Sequence, residues 1–287
     1  MEYSISIKRD DLIDEFVSGN KLYKLRLNIE SALKNGDETI ITFGGAYSNH
    51  IAATAAFAQK KGIKTIGIIR GEAHTVLNPT LRFARQCGME LKYVSRAEYR
   101  LKESIEFQLK FLSSYKNAFV IPEGGANYLG IEGCKSILDE RTAKFDYVFV
   151  AMGTGTTYAG LVKAAYEGQS IIGLPIHKHD KLLDDILKID PKFGAIHHHR
   201  HQIVSGYHFG GYAKYTDELL DFIRSFHEQT TIKLDPIYTG KAFFGMFDLL
   251  EKKQIPANAN ILFIHTGGLQ GIEGFEIQHK LRLFDSN

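Results

Sequence analysis

Short runs rich in β-branched residues alternate with amphipathic stretches over most of this chain, and no other feature restricts its fold as much. Residues 38–43 read as a strand ending in Gly44-Gly45. Ser48 then opens an alanine-rich helix that runs through Lys60 and is stopped by Gly62. A strand at 65–69 precedes a helix over 79–86 that stops at Gly88. A third strand at 91–94 is followed by one longer helix over 97–115. Residues 118–121 form a fourth strand, ending in Pro122-Glu123-Gly124-Gly125, and a helix through Leu138 leads to a fifth at 146–151. The turn Gly153-Thr154-Gly155-Thr156-Thr157, another helix and a strand at 170–175 complete the regular part. Such alternation predicts an α/β fold with parallel sheets covered by helices on both faces.

Beyond Pro175 the pattern loosens. Residues 182–189 read as a helix, and so do 216–228, with Thr216 as the N-cap. A further helix over 241–253 follows Tyr238-Thr239-Gly240, and 260–265 is a last buried strand ending at Thr266-Gly267-Gly268. The formal net charge is +2 with both signs interspersed, which points away from nucleic acid or a membrane surface as partner. Two cysteines, Cys87 and Cys134, suit free thiols in a reduced compartment. No basic region followed by an apolar run opens the chain, and no stretch nears the ~20 apolar residues of a membrane span, so a cytoplasmic protein is expected.

Ligands of open α/β sheets bind beyond the carboxyl ends of strands. Four such ends here are glycine-rich: Gly44-Gly45, Gly124-Gly125, Gly153 to Thr157, and Gly267-Gly268. The third opens a helix, whose N-terminal N–H groups and dipole suit a phosphate. A dinucleotide fingerprint fails there, because Tyr158 stands at the third glycine position and the next strand ends without an acidic residue. A nucleotide P-loop fails for want of Gly-Lys-Ser/Thr. A cup for one terminal phosphate fits better, and pyridoxal 5′-phosphate carries one beside an aldehyde that requires a lysine.

Lys21, after Ser18-Gly19-Asn20, can meet that requirement. An ordinary lysine is protonated at neutral pH, but burial or a nearby cation frees its amine to form a Schiff base. Lys24, one helical turn on, is such a cation. Alone, the pair reads far more simply as a solvated helix start, and the case for Lys21 comes from the rest of the chain. The run containing His197, His198, His199 and His201 is a poor metal site. Successive strand residues face opposite ways and no acidic or cysteine partner is near, so a solvated or partly packed strand is expected.

Ser18-Gly19-Asn20-Lys21, Gly45-Ala46-Tyr47-Ser48-Asn49-His50, Ile121 to Gly125 with Leu129-Gly130, and His265-Thr266-Gly267-Gly268 occur in an order that resembles one family. It is the PLP-dependent 1-aminocyclopropane-1-carboxylate (ACC) deaminase and D-cysteine desulfhydrase family, of the tryptophan synthase β type (fold type II). The resemblance runs from about Ile5 to Gly268. It implies a deaminating enzyme and a homodimer. A smaller α/β unit of residues 46–127 is expected inside a larger cofactor-binding unit of 1–45 and 128–287.

The resemblance also implies roles. Lys21 matches the Schiff-base lysine, and Lys24 with Gly153, Thr154, Gly155, Thr156 and Thr157 matches the phosphate site. Asn49 would bond the cofactor's 3′-oxygen, while Ser48, Asn49 and His50 would hold the substrate carboxylate. Tyr238 matches one active-site tyrosine and Tyr212 a second by spacing. Thr239 matches the residue facing the pyridine nitrogen, where ACC deaminases carry glutamate, and they carry leucine in place of Thr266. A carboxylate favours a protonated ring and a strong electron sink; a hydroxyl gives a weaker one, sufficient when a β-thiol leaves. Thr239 with Thr266 therefore favours elimination over ring opening. The run Leu269-Gln270-Gly271-Ile272-Glu273-Gly274 and a shortened segment before Tyr212 depart from the family pattern where a substrate side chain could be read.

Overall fold

A computed structural model describes residues 3–73 and 75–285. The strands are β1 (Ser4–Arg9), β2 (Thr39–Gly45), β3 (Lys64–Arg70), β4 (Glu90–Val94), β5 (Ala118–Ile121), β6 (Tyr147–Met152), β7 (Ser170–Pro175), β8 (Gln202–Ile203) and β9 (Asn260–His265). They make two sheets in the orders β1-β9-β6-β7-β8 and β4-β3-β2-β5. Every pairing is parallel, as the alternation predicts.

The helices are α1 (Asn20–Asn35), α2 (Asn49–Lys61), α3 (Pro79–Gln86), α4 (Arg96–Tyr99), α5 (Ile105–Leu112), α6 (Tyr128–Cys134), α7 (Thr156–Ala164), α8 (Leu182–Ile189), α9 (Phe193–Ile196), α10 (Asp217–Thr230), α11 (Thr239–Glu251) and α12 (Gly271–His279). They cover both faces of the sheets. Along β6, Val148, Val150 and Met152 enter a core with Ile131 and Leu161, while Phe149 and Ala151 enter another with Leu219, Ile223 and Phe243. Both faces of a parallel strand are dry, which is why its sequence is a continuous apolar run.

Three expectations change. The single helix over 97–115 is two, because Ser95 and Glu98 form a capping box and Ser104 caps a fresh start by accepting from Phe107 N at 3.2 Å. The histidine run is a turn between α9 and β8, where strand was expected. Finally, a boundary at Ala46 would cut β2 away from β3 and β5, whose sheet it centres. Leu25 and Ile29 of α1 also pack with Ala53, Ala56 and Ile121 of that sheet's layer. The smaller unit therefore begins before Thr39, and α1 bridges to it.

In each sheet the strand order reverses once: between β6 and β9 in the larger, and between β2 and β5 in the smaller. The four glycine-rich strand ends are the ends of those four strands. Crevices at such reversals are where open α/β sheets take ligands.

Candidate active site

A cavity of about 900 Å³ opens between the four strand ends. Lys21 and Lys24 line it from α1, and Ser48, Asn49 and His50 from the start of α2. Gly153, Thr154, Gly155 and Thr157 line it from the turn before α7, and Tyr212, Tyr238 and Thr266 complete the predicted set. Thr156 and Thr239 are fully buried and do not line it.

The side chains are oriented by specific partners. Asn20 Oδ1 accepts from Lys21 Nζ at 2.8 Å, and Asn20 Nδ2 donates to Thr157 Oγ1 at 2.9 Å. One amide thus ties the lysine to the phosphate-type turn. Thr154 and Thr156 share a hydrogen bond at 2.8 Å. Ser48 caps α2, accepting from Ile51 N at 3.3 Å, which leaves its O–H free to donate into the cavity. Asn49 Oδ1 accepts from Gln270 Nε2 at 3.0 Å, so its N–H₂ remains for a ligand. Thr42 donates to Ile121 O, and so accepts from His50 Nε2 at 2.8 Å. That leaves His50 Nδ1 a buried acceptor with no partner among the described residues. Burial, with the Lys21 and Lys24 charges, holds this imidazole neutral, so an anion at α2 would meet its backbone N–H rather than its ring.

Electrostatics favour a free amine at Lys21. Burial, and then the Lys24 ammonium, lower its pKa to about 7, so near neutrality half of it is free amine. Neither lysine has a carboxylate ion-pair partner among the described residues. Burial, reinforced by the Tyr212 phenol, pushes the Tyr238 phenol well above 10, so it is a proton donor rather than a base. The two rings meet edge to face, with centroids 6.2 Å apart.

Comparison with known proteins decides between cofactors. The family described as pyridoxal-phosphate dependent enzymes matches residues 2–267. The chain belongs to this family. A Pyrococcus horikoshii protein named "Putative 1-aminocyclopropane-1-carboxylate deaminase" is 32% identical over 280 residues, covering 93% of this chain and 85% of that one. The mitochondrial bifunctional D-cysteine desulfhydrase/ACC deaminase of Arabidopsis thaliana is 31% identical over 311 residues, covering 93% of this chain and 72% of that one. A crystal structure of an ACC deaminase homologue superposes with a TM-score of 0.83 at 30% identity, over 96% of this chain and 87% of that one. The chain is thus a PLP-dependent enzyme of the ACC deaminase/D-cysteine desulfhydrase family, with the type II fold.

The residues present fit PLP. Two buried amines without acidic partners, beside the amides that open α7, suit a phosphate dianion, and Lys21 suits an aldehyde. The pKa of Lys21 yields a testable consequence. Reconstitution of apoprotein with PLP, followed by visible absorbance, should speed up about tenfold per pH unit below pH ~7 and level off above it. Acid protonates the amine and slows the reaction. Lys24→Met, which removes the second cause, should move the inflection to higher pH; an inflection near the ordinary lysine value in wild type would remove the argument.

Several residues were missed from sequence. Asn20 could have been suspected from its place beside Lys21. Asp235 is buried and accepts from the backbone N–H groups of Ile237, Tyr238 and Thr239 and from the Thr239 hydroxyl. Its signal was an Asp shortly before a helix start. The run after Gly268 forms α12, which places Gln270 on Asn49. Of the histidines, His197 Nε2 lies 2.8 Å from the hydroxyl of the fully buried Tyr158, and His201 Nδ1 accepts from Ile171 N. Among the described residues no group of three or more His, Cys, Asp or Glu is placed to hold a metal, and no helix is long and apolar enough to cross a membrane.

Proposed function

We propose that the enzyme performs α,β-elimination on a small amino acid, with D-cysteine and water giving pyruvate, sulfide and ammonia. One observation carries this choice. Thr239 Oγ1 donates to Asp235 Oδ2 at 2.7 Å and accepts from Asp235 N at 2.9 Å, which leaves it one lone pair. The position matched to the pyridine nitrogen is therefore a buried hydroxyl that does not line the cavity and whose proton is committed to Asp235, and it brings no carboxylate of its own to a ring nitrogen. That supports a ring N–H⁺ more weakly, and a leaving thiolate asks less of the sink than an intact cyclopropane.

When bound, PLP supplies an electron sink for the substrate's α-carbon. The chain's residues do the rest. Lys24 and the turn residues Gly153, Thr154, Gly155 and Thr157 hold the phosphate, with Asn49 and Thr266 at the ring, while Thr156 and Thr239 are buried in the elements behind them. The start of α2, with the Ser48 hydroxyl and the Asn49 and His50 N–H groups, holds the substrate carboxylate. Lys21, as free amine, takes the α-proton. Tyr238, kept protonated, donates to the departing sulfur, and Tyr212 closes the same side.

Ring opening of ACC to 2-oxobutanoate and ammonia is the second reading, favoured by the names of the relatives. ACC has no α-hydrogen, so Lys21 or Tyr238 would have to assist the opening itself. Keto-acid release from D-cysteine, L-cysteine, D-serine and ACC separates the readings. D-Cysteine should exceed ACC by about tenfold or more in kcat/KM. 2-Oxobutanoate from ACC as the dominant product would overturn the choice, inverted substrate without keto acid would indicate a racemase, and sulfide displaced by an added nucleophile would indicate β-replacement. A protein that binds PLP and turns over none of these would be a ligand-binding relative.

A further inference from the structure

Lys241 lies in the first turn of α11 with no exposed surface. No carboxylate pairs with it among the described residues. Its ammonium instead donates to three backbone carbonyls: Gly211 O at 2.8 Å, His208 O at 2.9 Å and Ile176 O at 3.4 Å. Three N–H donors meet three acceptors, which is the full capacity of the group. The pKa of the nearby cavity residue His177 is lowered by burial first, then by His179, and then by the Lys241 charge.

The three carbonyls come from two separate segments. Ile176 follows β7, whereas His208 and Gly211 belong to the loop between β8 and α10 that carries Tyr212. That loop has no helix or strand of its own, and its backbone is unusual. Phe209, Gly210, Gly211 and Ala213 have φ of 50°, 91°, 129° and 55°. Two non-glycine residues in the left-handed region need surroundings that hold them there. One end of the loop is fixed by Tyr207, whose hydroxyl donates to Asp248 Oδ2 at 2.6 Å. From His208 to Tyr212, α11 reaches the turn twice: Phe244 packs edge to face on the Phe209 ring, with centroids 5.1 Å apart, and the ammonium of Lys241 supplies the hold on the backbone carbonyls.

We propose that Lys241 is a tethered cation: its ammonium gathers the carbonyls of Ile176, His208 and Gly211, and so holds Tyr212 over the cavity. Without the side chain, the same carbonyls form a site for a free monovalent cation of ammonium size. Lys241 is thus a positioning residue. Its effect on turnover, though not on the loop, rests on the reading that Tyr212 acts at the substrate.

The test uses holoenzyme with tetramethylammonium, which is too large for the site, as background cation. In Lys241→Ala, backbone amide exchange across residues 204–216 should accelerate by about tenfold or more, and turnover should fall while visible absorbance persists. Ammonium or potassium chloride should restore both protection and turnover. Lys241→Met, which fills the space without charge and leaves no room for an ion, should show the loss and no rescue. Wild-type-like exchange in Lys241→Met would overturn the proposal, and so would a loss in Lys241→Ala that neither ion reverses. Protection restored without turnover would uphold the tether and remove Tyr212 from the reaction.

Discussion

Lys21→Ala is expected to abolish the visible absorbance of the bound cofactor and to lower keto-acid release by ~10³-fold or more, since in the proposed reaction one amine both holds the cofactor and moves the substrate proton. No other lysine in the cavity can substitute. Lys24 is buried as the neighbouring cation, and Lys102 and Lys188 are paired with the carboxylates of Glu123 and Asp185. Lys21 alone combines a place in the crevice, a free-amine fraction near neutrality and an orienting partner in Asn20. Lys21→Arg should fail as fully, because a guanidinium stays protonated at any working pH although it preserves the charge. The measurement is the absorption spectrum and PLP content after dialysis, alongside product release. A Lys21→Ala protein that kept its wild-type spectrum and its turnover would sink the assignment of this lysine.

Much of the fold was legible because parallel strands buried on both faces are unbroken apolar runs. β6 and β9 announce themselves that way, and their glycine-rich ends mark where the sheet is open. β1 did not. Its sequence, Ser4-Ile5-Ser6-Ile7-Lys8-Arg9, is a half-polar edge whose only pairing is with β9, at the far end of the chain. Two-residue β8 carries no pattern at all. The membership of β2 was hidden for a related reason: which sheet a strand joins is set by long-range pairing, and local periodicity is silent on it. In the site, motif residues with side chains turned to the cavity were readable, as with Lys21, Ser48 and Asn49. Residues that act through another group were not. The three carbonyls around Lys241 lie 30 to 65 positions away in sequence, so only the folded chain brings them to it.

The second large effect is expected from a residue with no side chain. Gly19→Ala should lower unfolding stability by ~3 kcal/mol or more and leave a protein without cofactor absorbance. Gly19 precedes α1 with φ 65° and ψ −149°, a region that essentially only glycine enters. A Cβ there would overlap the carbonyl of Thr266 and lie 2.6 Å from Gly267 N. Both belong to backbone at the end of β9, so no rotamer change can relieve the clash. On the other side, α6 meets α1 so closely that a Cβ on Gly133 would overlap the carbonyl of Tyr23. The start of α1 is therefore wedged between β9 and α6, and Lys21 takes its place in the crevice from that wedge. Gly36 supplies the control. It ends the same helix in the left-handed conformation, at φ 79°, with nothing within 4 Å of a built Cβ. Gly36→Ala should cost only ~1 kcal/mol and keep the full cofactor spectrum. Urea unfolding midpoints and absorbance spectra of the two variants make the comparison. If Gly19→Ala behaves like Gly36→Ala, close packing of α1 against β9 is not what sets Lys21 in place.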